Sequence, residues 1–147
     1  MDRSTTPIQV VIDAADPAAL SAFWASALAP RGYAVPAPPG DFEDWPAFLT
    51  ANGVPEERWN DASAIEAEGH PRIFFQRVPE PKSVKNRVHV DLLAGGGPSV
   101  DLEVQRERVA AEVARLEGLG ATRVEDHTDL GTHWVVMRDP EGNEFCV

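Results

Sequence analysis

Apolar positions along the chain fall into short strand-like runs and two helical stripes, and their order lays out most of the elements. "IQVVIDA" (8–14) predicts a first strand. Asp16 can cap a helix there, and Pro17 suits its first position because a missing N–H is no loss at that point. Leu20, Phe23, Trp24, Ala27 and Leu28 recur at helical spacing, and Pro30 and Gly32 end the stripe. Residues 36–71 break the pattern. "PAPPGDFEDWPAF" is turn-rich with aromatic insertions, and "LTANGVPEERWNDAS" has room for one short helical turn. A connection this long predicts a functional loop or a cover over a pocket. "RIFFQRV" (72–78) predicts a strand, and "PEPKSVKNR" a Pro- and Lys-bearing connector.

The second half opens with a predicted strand, "RVHVDLL" (87–93), and a flexible turn, "AGGGPS". Asp101 then caps a long helix with Leu102, Val109, Val113 and Leu116 on one face, ended by Gly118 and Gly120. "ATRVEDHTD", "GTHWVVMRD" and "GNEFCV" supply the remaining strands. Strand, helix and strands thus occur twice. "IQVVIDAADP" is similar to "RVHVDLLAGG", and "EAEGHPRIFF" to "DPEGNEFCV". The expected fold class is α+β, built from two tandem βαβββ modules at about 6–80 and 86–147.

Composition narrows the function. Hydrophobic residues make up 43% and charged residues 25%, ordinary for a globular protein. The net charge of −11 argues against a nucleic-acid partner, since phosphates call for a basic surface. No apolar run reaches the length that crosses a bilayer, and "MDRSTTPIQVVI" makes a poor secretory leader. The single cysteine, Cys146, precludes an internal disulfide and suits a reducing, cytoplasmic setting. "AGGGPS" lacks the lysine of a phosphate-binding loop, and no Gly-x-Ser-x-Gly stretch is present.

"QVVIDAADPAALSAFW", "PRIFFQRVPEPKSVKNRVHVDL" and "VVMRDPEGNEFCV", in that order, resemble the vicinal oxygen chelate superfamily, the glyoxalase and bleomycin-resistance fold, over nearly the whole chain. The middle stretch is similar to a glyoxalase-like subfamily. The resemblance implies two modules forming a cup-shaped cleft, with metal-dependent members placing ligands on four strands. It also implies a homodimer, which suits the liability of open sheet edges. The implied ligand positions fall on Gln9, seven residues before Asp16; on Phe74 or Gln76; on His89; and on Cys146, seven after Asp139, where the family carries glutamate.

Glu144 lies two residues before Cys146, so both share a strand face. Gln9, His89, Glu144 and Cys146 are therefore the candidate metal ligands, and His89 and Glu144 the candidate catalytic groups. Gln9, Gln76, Phe74, Trp45, Trp59 and Trp134 are the candidate ligand-binding residues. A set so poor in carboxylates predicts weak binding of a hard divalent ion, so a metal-free protein is expected, with one divalent ion as the alternative. Two functions follow. The first is a glyoxalase-like lyase, isomerase or dioxygenase acting on a small oxygen-rich or carbonyl substrate. The second is a binding protein that sequesters a cationic or aromatic compound, which the acidic charge and the loop tryptophans would suit.

Overall fold

The computed structural model describes residues 7–147. The opening residues, read above as a poor leader, and residue 6, where the first module was expected to begin, lie outside the described residues. Contacts divide the chain into two units, one running through Pro81 and the other from Lys82 to Val147.

The first unit holds β1 (Gln9–Ala14), α1 (Pro17–Ala27), α2 (Trp45–Ala51), β2 (Ala62–Ile65) and β3 (Arg72–Arg77). Its sheet has the order β1-β3-β2, with β1 parallel to β3 and β2 antiparallel to it. Beyond β2, Ala34 pairs with Glu66 in a single antiparallel bridge. Asp16 caps α1 as expected, its carboxylate accepting from the Ala19 amide at 3.1 Å. Leu20, Phe23, Trp24 and Ala27 of α1 are buried, as are Ile65, Ile73 and Phe75 of the sheet. The Ser21 and Ser63 hydroxyls meet at 2.7 Å and fix which sheet face the helix covers. A fully buried phenylalanine such as Phe75 contributes roughly 2–3 kcal/mol.

The second unit holds α3 (Leu102–Gly118), β4 (Thr122–Asp129), β5 (Thr132–Arg138) and β6 (Glu144–Cys146), with sheet order β4-β5-β6. Asp91 forms one parallel bridge with Cys146 on the outer side of β6. The two units therefore share an arrangement. In each, the segment before the helix runs parallel to the last strand, and antiparallel strands complete the sheet. Val109, Val113 and Leu116 of α3 are buried, as are Val135, Met137 and Phe145.

Two expectations need correction. Residues 87–93 do not form a full strand. Only Asp91 bridges to β6, and Val88 stays exposed. Residues 36–71 hold the expected short helical turn, at Glu56–Arg58, but are more ordered than a loop, because they also contain α2 and β2. Asp44 caps α2 by accepting from the Ala47 amide at 2.8 Å, and Pro46 occupies its first turn. Among the described residues no helix is long and apolar enough to cross a membrane.

Candidate functional site

Residues paired across neighbouring strands share a sheet face. In the second unit Cys146 pairs with Val136, and Glu144 with Arg138. Trp134 alternates onto the same side of β5, and its partner on β4 is His127. This is the side away from α3, because Val135, Met137 and Phe145, at the alternate positions, are buried. Asp91 joins this face through its bridge to Cys146, and the His89 ring reaches the same place through its contact with Asp91. Two backbone bonds hold the segment there. The Cys146 amide donates to the Val90 carbonyl at 3.0 Å, and the Leu92 amide donates to the Cys146 carbonyl at 2.8 Å.

The result is a cluster of His89, Asp91 and Cys146 whose ligand-capable atoms lie within 4.8 Å of one another. His89 Nε2 sits 3.3 Å from Asp91 Oδ1, with both side chains exposed. Burial pushes the Cys146 thiol pKa up, and the Asp91 charge and hydrogen bond push it further, against a smaller opposing effect of Lys85. Before any ion binds, then, Cys146 is a thiol rather than a thiolate. The cluster edges a cavity of about 360 Å³ whose walls include Leu92, Leu93, Gly95, Trp134 and Val147. His127 stacks against Trp134 with ring centres 5.3 Å apart, and its Nε2 lies 3.1 Å from a Glu125 carboxylate oxygen.

The far wall of the cavity is set by Gln105, a fully buried amide in the apolar stripe of α3. Its Nε2 donates to the Val100 and Gly131 carbonyls, each at 2.8 Å, and its Oε1 accepts from the His133 amide at 3.0 Å. One side chain thus ties the helix to the loop before it and to the start of β5. At the other end of β5, the buried Asp139 organises the turn into β6. Its Oδ1 accepts from the Glu141 and Asn143 amides at 2.9 and 3.0 Å, and its Oδ2 accepts from Asn143 Nδ2. Gly142 completes that turn at φ 88°, where a Cβ is unfavourable. "DPEGN" is thus a structural turn that delivers β6 and Cys146 to their places.

Glu144 shares the face of Cys146 but is already engaged. It accepts from the Asn86 amide at 2.9 Å and lies 3.1 Å from the Lys82 ammonium. The Asn86 bond, assisted by Lys82, holds its carboxyl at about 2, below the usual 4.5, in spite of partial burial. In the first unit, Gln9, Phe74 and Gln76 share the sheet face opposite α1, as their register with Arg72, Val11 and Asp13 requires. Gln9 Oε1 accepts from Arg72 Nη1 at 2.7 Å, and the Arg72 guanidinium lies 5.3 Å from the centre of the Phe74 ring. Trp45 donates to the Pro36 carbonyl at 2.8 Å and packs edge-on against Phe48. Trp59 donates to the Val54 carbonyl at 3.0 Å. Both indoles therefore brace the 36–61 excursion itself.

Among the expected residues, the structure brings together His89, Cys146 and Trp134. It sets Glu144 beside them in a clasp of its own and carries Gln9, Gln76 and Phe74 on the other unit. The sequence reading missed Asp91, although a signal was present. In "HVD" the aspartate lies two residues past the histidine, and strand alternation puts both on one face.

Known proteins give the same architecture. A glyoxalase/bleomycin resistance protein/dioxygenase family enzyme from Burkholderia phytofirmans PsJN matches with TM-score 0.58 at 16% identity, over 94% of this chain and 93% of that one. A lactoylglutathione lyase from Agrobacterium tumefaciens matches with TM-score 0.52 at 14% identity, over 100% and 94%. A mutant of the genomically encoded fosfomycin resistance protein FosX from Listeria monocytogenes, complexed with Mn(II) and 1S,2S-dihydroxypropylphosphonic acid, matches with TM-score 0.57 at 10% identity, over 97% and 87%. Identities this low establish the fold alone. No curated protein matches the chain. The family model of the glyoxalase-like domain matches residues 9–147, almost the whole chain, and the protein belongs to that family.

Proposed function

We propose that this is a small-molecule protein whose site is the second unit's cavity, and that a divalent ion at His89, Asp91 and Cys146 equips it to act on an oxygen-rich or carbonyl substrate. The observation that carries the reading is the convergence of three donor atoms within 4.8 Å at the edge of a cavity of about 360 Å³.

The donor set fits a metal. It offers an imidazole nitrogen, a carboxylate and a thiol, and three protein donors leave coordination positions open for substrate or water. Tetrahedral donors on bonds of 2.0–2.3 Å stand roughly 3.5 Å apart. The spread of up to 4.8 Å closes by rotation of the exposed His89 and Asp91 side chains. A bound ion would polarise a substrate oxygen or lower the pKa of a water. The chain supplies the rest. Leu92, Leu93 and Trp134 receive the apolar part of the ligand. Asp91, 3.3 Å from His89 Nε2, helps to set the position of the His89 ring. Glu144, with so low a pKa, is a poor base and serves to fix the connector against β6. In the first unit, Gln9 is held by Arg72 on the open sheet face it shares with Phe74 and Gln76, and Trp45 and Trp59 brace the 36–61 excursion. A homodimer and a cytoplasmic setting accompany this reading.

The cavity wall also supports a second reading, sequestration. Trp134 stacked on His127, with the Asp91 carboxylate nearby, suits a cationic or aromatic compound. Metal analysis of protein purified without chelator tests the first reading. About one equivalent of ion, lost in His89→Ala, is expected. No ion in protein offered divalent metals, together with chelator-insensitive quenching of tryptophan fluorescence by aromatic cations, would replace it with the second.

A further inference from the structure

We infer that the ion site is complete within the second unit, with Asp91 as its carboxylate ligand and Cys146 as an inner thiolate ligand, and that it is built for a borderline-soft ion of the zinc class rather than for magnesium or manganese. This rests on the cavity reading above and deepens it by naming the ion and its ligands.

Three observations point the same way. Among the described residues the donor cluster is His89, Asp91 and Cys146, all of one unit, with Asp91 bridged to Cys146. Glu144, a carboxylate on the same sheet face two residues from Cys146, is committed to Lys82 and Asn86, so it is not at hand as a hard oxygen donor. The Cys146 backbone clamps the segment carrying the other two donors on both sides, through Val90 and Leu92. The sulfur therefore stays opposite His89 and Asp91 even as their side chains turn. Sulfur and imidazole favour zinc, cobalt and copper, whereas magnesium and manganese require oxygen-rich sets. With Asp91 and Cys146 both anionic, a dication at the site is formally neutralised. The open positions would then suit a neutral or weakly anionic oxygen ligand.

Zinc outbinds manganese at most sites, so preference alone is no test. The informative probe is Co(II), which gives a thiolate-to-cobalt charge-transfer band only when sulfur is bound. Full-length protein loaded with one equivalent of Co(II) should show that band, and Cys146→Ser should abolish it while weakening zinc binding by more than about tenfold. Asp91→Asn should weaken zinc binding by a similar factor and keep the band, and Gln9→Ala should change neither. Circular dichroism of each variant reports folding separately. Cobalt bound without the band, or Gln9→Ala as damaging as Asp91→Asn, would overturn the inference. Tight Mn(II) binding that depends on His89 and ignores Cys146 would do the same while leaving the cavity reading intact. If no ion binds, the inference falls, and aromatic-cation quenching at Trp134 then decides whether the cavity binds ligands at all.

Discussion

Glu144→Gln is the sharpest probe of how the second unit holds its last strand. Glutamine keeps a hydrogen-bond acceptor for the Asn86 amide and removes the charge that faces Lys82. The carboxyl falls from 4.5 to about 2, which at 1.36 kcal/mol per decade corresponds to about 3 kcal/mol between the ionised and neutral forms. The two side chains are 13% and 23% exposed, so solvent screens part of this, and about 2 kcal/mol is the expected loss at pH 7. The folded pKa is depressed. The stabilisation is therefore complete above the unfolded value of 4.5 and lost as pH falls through the folded value near 2. With a urea slope of about 2 kcal/mol per molar, the variant's midpoint should drop by about 1 M at pH 7. The gap from wild type should narrow steadily between pH 5 and pH 3. Lys82→Met should reproduce part of the deficit. An unchanged midpoint at pH 7, or a gap as wide at pH 3 as at pH 7, would refute this account.

Gln105→Leu should be among the costliest substitutions in the second unit. It leaves the Val100 and Gly131 carbonyls and the His133 amide without their partner, for a loss of about 3 kcal/mol or more by chemical denaturation. A loss under about 1 kcal/mol would mean that water replaces the amide. Asp139→Ala should cost about 2–4 kcal/mol by undoing the turn into β6, and ion binding should weaken with it; Asp139→Asn should recover part of both. Ion binding at full strength in folded Asp139→Ala would show that β6 finds its place without the turn.

The helices were legible because their signals are local. Asp16–Pro17 and Asp101 cap as read, and the stripes of Leu20, Phe23 and Trp24 and of Val109, Val113 and Leu116 are buried. The order of helix followed by antiparallel strands in each unit was legible for the same reason. α2 went unread although Asp44 and Pro46 form the same kind of start signal as Asp16 and Pro17, because a seven-residue helix with no buried residue leaves no apolar stripe. β2, four residues long, is too short for alternation to register. At 87–93 the reverse happened. The alternation in "RVHVDLL" is real, but strand formation also needs a neighbouring strand to pair with along its length, which no local pattern encodes, and only Asp91 makes such a bridge. The resemblance pointed to His89 and Cys146, which the structure brings together with Asp91. Asp91 and the engagement of Glu144 depend on which chain segments come to lie against β6, and that is a property of tertiary packing.

Residue 146 performs two separable duties. Its main chain moors the His89–Asp91 segment, and that mooring is indifferent to what the side chain is. In the reading proposed above, its side chain alone contributes the donor atom. A single-residue exchange at this position can therefore retune which ions or ligands are accepted without redrawing the scaffold around them. Relatives that differ there could diverge in chemistry while remaining superimposable in backbone.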